Sequence, residues 1–214
     1  MSNFWDKYAL ILTTTKHIVL NPFEFGETIG DSPADSKRAA VYLGEGAIFF
    51  YSLFQLSNFG STSDLPYADA PFAGEIIAAV LIFSAVVMAL VTHPIARWFS
   101  DGNTTLHASL ASFLYWSGFC LFIIPPFMVA LITGSQWLFA SLPYGENIRF
   151  FSFMAVGVPF MFVYYIGTIS NWIGSTYKIE PIMGGISVAL AYVVSSGIGA
   201  TLAAVASLAV GSPG

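Results

Sequence analysis

From Pro181 to Ala209 the chain contains no charged side chain, and no other feature limits its fold so tightly. A helix of about 20 apolar residues spans the hydrocarbon core of a bilayer. A soluble domain of this size leaves too much surface exposed to hide many such runs, and this chain has five. They are Ala39 to Phe59, Ile76 to Trp98, Leu106 to about Thr133, Phe150 to Trp172, and Pro181 to about Ala209. Of the 214 residues 56% are hydrophobic and 9% charged, with a mean hydropathy of +0.74. An ordinary globular domain is roughly a quarter charged. The apolar runs are continuous, which favours helices over a barrel of ~10-residue alternating strands. The expected fold is all-α: a polytopic membrane helix bundle with five transmembrane helices and an N-terminal interfacial amphipathic segment.

Residues 1–31 form that segment in this reading, and 32–214 the five-helix transmembrane domain. The run "YALIL" is too short for a secretory signal, and no small-residue cleavage site follows it. Phe4, Trp5, Tyr8, Ile11, Leu12 and Ile18 gather on one broad face, which suits a helix lying at the membrane surface. Two helix starts follow. In "NPFE", Asn21 is placed as N-cap and Pro22 at the first helical position, opening a helix to about Ile29. "SPAD" sets Ser32 and Asp35 in a capping box, so the first long helix begins before its apolar stretch.

Lys7, Lys16, Lys37, Arg38, Arg97 and Lys178 fall on one side of a five-span bundle, and Arg149 alone on the other. The positive-inside rule then puts the N-terminus in the cytoplasm and the C-terminus across the membrane.

This architecture resembles the bacterial Yip1-domain family. The residues that carry the resemblance are "ILTTTKHIVLNPFEFGETIG" before the first span, "FIIPPF" in the third, and "GTISNWIGSTYKIEPIMGGISVALA" across the fourth and fifth. The resemblance implies a membrane scaffold or adaptor without defined chemistry, in the bacterial inner membrane. The "DLYGP" sequence of the eukaryotic branch is absent, so Rab-type binding is not carried over.

Ionisable groups at bilayer depth are expensive unless paired. Glu45 in "LGEGA" and His93 in "VTHPI" lie at matched depths when counted from Ala39 and Trp98, which predicts an intramembrane polar pair. A hydrogen-bonded structural pair is the favoured role over a proton relay, because no further polar groups continue the chain. Gly44 and Gly46 leave room for a neighbouring helix. His93, Asp101 and His107 match no metal-ligand spacing, and no haem-attachment motif is present. No metal, cofactor or catalytic group is expected. Cys120 has no partner for a disulfide. A net charge of −5 with thinly spread basic residues excludes nucleic acid. Pro94, Pro125, Pro126 and Pro159 predict breaks: Pro159 in mid-span, and Pro125 near the outer face, where the chain turns along the membrane surface.

Ser187, Ala191, Ser195, Gly199, Ala203, Ser207 and Gly211 recur at a spacing of four. Small residues let helix backbones approach closely in lipid, where hydrophobicity cannot drive association. The row predicts a helix-packing interface, either a central post or a contact with another subunit. Partners are thus membrane lipids and other membrane subunits, or further copies of the chain. Two function classes follow: a non-enzymatic scaffold or adaptor of Yip1-like type, and an accessory subunit of a photosynthetic or respiratory complex. A small transporter ranks third, for want of intramembrane charge.

Overall fold

A computed structural model describes residues 2–56, 73–139, 155 and 157–210. Apart from short connectors, those residues are helical, with no strand among them. The helices are α1 (Ser2–Leu20), α2 (Pro22–Glu27), α3 (Pro33–Leu56), α4 (Ala73–Phe99), α5 (Leu106–Phe139), α6 (Val158–Tyr177) and α7 (Pro181–Val210).

Local signals set most of the helix starts. Ser32 Oγ donates to Asp35 Oδ2 at 2.5 Å and accepts from the Asp35 amide at 3.3 Å, so the capping box forms and α3 opens at Pro33. Asn21 stands at the N-cap of α2, but its side chain makes no capping bond. Pro22 supplies the pre-set φ instead.

Among the described residues, two helices are long and apolar enough to cross a membrane: α4 over Ile82–Phe99 and α5 over Leu106–Ile123. Tyr164–Tyr177 and Pro181–Gly197 pass that test jointly, with a bend of 111° between them. Lys178 makes this bend in the left-handed region at φ 55°, and the Ile179 amide returns to the Gly174 carbonyl at 2.9 Å. That bond satisfies an orphan carbonyl at the end of α6.

The prolines act differently from expectation. α5 continues as one helix to Phe139, through Pro125 and Pro126, where a turn along the surface is expected. Neighbouring helices can re-satisfy backbone groups that a proline frees. Pro159 sits in the first turn of α6 rather than mid-span, a position where a missing N–H costs nothing. Pro94 lies within α4.

α5 is the centre, packing on α3, α4 and α6, while α7 packs on α6 and α4. The main core joins Ala39 and Leu43 of α3, Ala85, Ala89 and Ala96 of α4, Phe113 and Leu121 of α5, and Ile169 and Ile173 of α6. Three alanines on α4 bring its backbone close to its neighbours. α3 crosses α5 closely. A Cβ on Gly46 would stand 2.9 Å from the Gly118 carbonyl oxygen, and one on Gly118 would stand 3.0 Å from Leu43 Cα. At Gly44 nothing lies within 4 Å, so of the two expected glycines only Gly46 admits a partner.

α1 and α2 dock through Ile18, Phe25 and Trp172, which share a second buried cluster with Tyr42 and Phe119. Thr15 Oγ1 lies 2.9 Å from the Tyr42 hydroxyl, well along α3. Within α1, Ile11, Thr14, Thr15 and Ile18 turn inward, whereas Leu12 is 68% exposed. The docked face is therefore narrower than the expected apolar face. The side chains of Phe4, Trp5 and Tyr8 fall outside the described residues.

Candidate functional site

Hydrogen bonds gather three connectors at one end of the bundle. The Asp31 carboxylate accepts from the Thr105 amide at 3.1 and 3.2 Å, and from the Thr105 hydroxyl. This ties the α2–α3 connector to the start of α5. Ser36 Oγ donates to the His107 carbonyl at 2.9 Å and lies 3.3 Å from its Nδ1. Ser100 Oγ donates to the Tyr177 carbonyl at 2.6 Å, tying the end of α4 to the end of α6.

The most chemically capable group here is His93. Its Nδ1 lies 2.6 Å from the hydroxyl of Tyr177, whose side chain is fully buried. The hydroxyl donates when Nδ1 carries no proton and accepts when it does. The ring centroids are 5.9 Å apart. Ser109 Oγ donates to the Ala89 carbonyl at 3.0 Å, joining α5 to α4 beside this pair.

No direct hydrogen bond or ion pair joins Glu45 to His93 among the described residues. The reason is geometric. α3 starts at Pro33, so Glu45 lies ~18 Å along its axis, whereas His93 is ~9 Å from the end of α4. α3 also packs on α5, with little contact to α4. Tyr177, a neighbour unavailable to spacing arguments, takes the histidine instead.

Glu45 is half-buried on the outward flank of α3. In the small-residue row, Ser187 and Ala191 are fully buried on α7. Ser187 Oγ donates to the Met183 carbonyl at 2.8 Å. Ser195 is half-buried, and its hydroxyl is buried without a hydrogen-bond partner among the described residues, like that of Thr92 on α4. Gly199, Ala203 and Ser207 belong to α7, but their surroundings lie outside the described residues, as does Gly211. α7 also makes a tight contact nearer its start. A Cβ on Gly184 would collide with the Ser170 carbonyl and stand 2.8 Å from the Gly174 amide nitrogen.

Asp101 is exposed. Among the described residues no group of three or more His, Cys, Asp and Glu is placed to hold a metal ion. Cys120 is buried and reduced.

Residue spacing missed Tyr177, Ser109, Asp31, Thr105 and Trp172. The usable signal for Tyr177 and Trp172 was their type: a buried aromatic with a polar tip generally finds a partner for it. Trp172 Nε1 donates to the Pro22 carbonyl at 2.5 Å.

No protein-family model matches the chain, and no curated protein or solved structure matches it.

Proposed function

We propose that this chain is a non-enzymatic integral membrane scaffold or adaptor of the kind that its resemblance to bacterial Yip1-domain proteins implies. It has five transmembrane helices in this reading and lies in the bacterial inner membrane, N-terminus in the cytoplasm and C-terminus across the bilayer. The observation that supports this best is the use made of His93. Its Nδ1 is taken up by Tyr177, at a junction where Ser100 and Ser109 also join helix to helix. Polar groups spent on holding helices together suit a platform for other proteins.

A second reading, an accessory subunit of a larger bioenergetic complex, draws support from Glu45. A carboxyl on the outward flank of a membrane helix is costly in lipid and asks for a neighbour.

Two experiments test the proposal. Cysteines placed at Lys37 and Arg97 in a Cys120→Ala background are expected to react from the same face of sealed vesicles. Reaction from opposite faces ends the five-span topology. Gentle detergent extraction followed by mass spectrometry is expected to find membrane proteins at fixed stoichiometry. A chain that runs alone and carries a solute across liposomes is a transporter.

A further inference from the structure

On α3, Val41, Glu45, Ile48 and Ser52 follow one another at helical spacing and share one flank. Val41 is 51% and Ile48 62% exposed. Ser52 is exposed too, and its hydroxyl is turned back to the Ile48 carbonyl at 2.8 Å. Gly44 lies beside them with open space where a side chain would be. Glu45 sits midway along Pro33–Leu56 and has no hydrogen bond or ion pair among the described residues. An apolar flank that carries one carboxyl and one bare glycine has the parts of a helix–helix contact: close backbone approach plus a charge to be matched.

We infer that this flank docks a membrane helix of a different subunit carrying an arginine or lysine at mid-depth. The inference rests on reading α3 as a transmembrane helix. Charge complementarity selects the occupant. A second copy does not supply the cation from the described part of the chain. Lys37 and Arg38 stand in the first turns of α3, Arg97 in the last turn of α4, and Lys178 in the α6–α7 turn. Lys7 and Lys16 lie on α1, which in this reading sits at the membrane surface rather than across it. Those four on α3, α4 and the α6–α7 turn lie at helix ends, whereas Glu45 is ~18 Å along α3.

The test uses the full chain in phosphatidylcholine vesicles and two dansyl-labelled peptides as probes. Each is a Leu/Ala transmembrane helix with a small-residue face, one with Arg at its centre and one with Leu there. Energy transfer from the protein's tryptophans reads binding. The Arg peptide is expected to bind the wild type about tenfold more tightly than the Leu peptide, the factor that follows from ~1.4 kcal/mol for an intramembrane polar contact. Glu45→Leu is expected to remove the preference, and Gly44→Leu to weaken both peptides. Should Glu45→Leu fail to fold, Glu45→Gln keeps the shape and is expected to lower the preference several-fold.

Equal binding of the two peptides to the wild type overturns the proposal, as does a preference that survives Glu45→Leu. A preference that appears only in Arg149→Gln means the chain satisfies Glu45 itself, and also overturns it. Self-association of the wild type that Glu45→Leu abolishes assigns the flank to a second copy, with the same consequence. Cysteines at Lys37 and Asn58 test the underlying reading. Labelling from one side removes the transmembrane α3, and labelling from opposite sides leaves only the docking claim at stake.

Discussion

Nδ1 of His93 lies 2.6 Å from the hydroxyl of Tyr177, 84 positions further along the chain, and this bond links the C-terminal part of α4 to the last turn of α6. Tyr177 is fully buried and its carbonyl also accepts from Ser100. One residue thus ties α4 to the α6–α7 bend by both side chain and backbone.

Tyr177→Phe leaves the ring in place and Nδ1 without its partner. The expected loss is about 1–3 kcal/mol, the range for a buried polar group left unsatisfied, read by denaturant unfolding in detergent. In a double-mutant cycle with His93→Ala, the two changes are expected to cost less together than their sum. Additive costs would mean that the bond contributes nothing.

Gly118 and Gly44 make a matched contrast. An added Cβ at Gly118 meets Tyr42 Cδ1 at 2.7 Å and the Leu43 backbone at 3.0 Å. Backbone cannot swing aside, so Gly118→Ala is expected to destabilise by about 1–3 kcal/mol. Gly44→Ala enters open space and is expected to be neutral or to stabilise by up to about 1 kcal/mol, from helix propensity. Thermal unfolding of the two variants checks the contrast, and equal shifts would refute the glycine crossing of α3 and α5.

Thr105 caps α5. Its hydroxyl accepts from the His107 amide at 3.2 Å, and its own amide donates to Asp31. Thr105→Ala is expected to cost about 1 kcal/mol, as for other lost N-caps, and Thr105→Ser to restore most of it. Hydrogen exchange at the His107 amide reads the effect locally, and it should quicken in the alanine variant alone.

Trp172→Phe removes the donor to the Pro22 carbonyl and keeps a ring near Phe25, whose centroid is 5.1 Å from that of Trp172. Gly26 lies directly against this tryptophan. The loss expected is about 1 kcal/mol, felt first by α1 and α2. Amide exchange in residues 11–27 should rise severalfold while α5 stays protected. Uniform change along the chain would mean that the N-terminal helices are not held separately by this bond.

The all-helical class was legible in the sequence, because long uncharged runs have only one local way to satisfy their backbone in lipid. So was the start of α3, since a capping box acts within four residues: Ser32 reaches Asp35, three positions on. Asn21 marked the start of α2 just as well, although its side chain makes no capping bond and Pro22 contributes its pre-set φ. Tertiary structure decided what helix order decides. Depth counted along the chain pointed Glu45 at His93, but α5 packs between their helices and Tyr177 arrives from α6. Gly44 and Gly46 are equivalent to a sequence reader, and only the crossing with Gly118 distinguishes them. Spacing along a helix reports which residues share a face. Which neighbour that face meets depends on contacts between segments far apart in the chain, and those are set by the packing of the whole bundle.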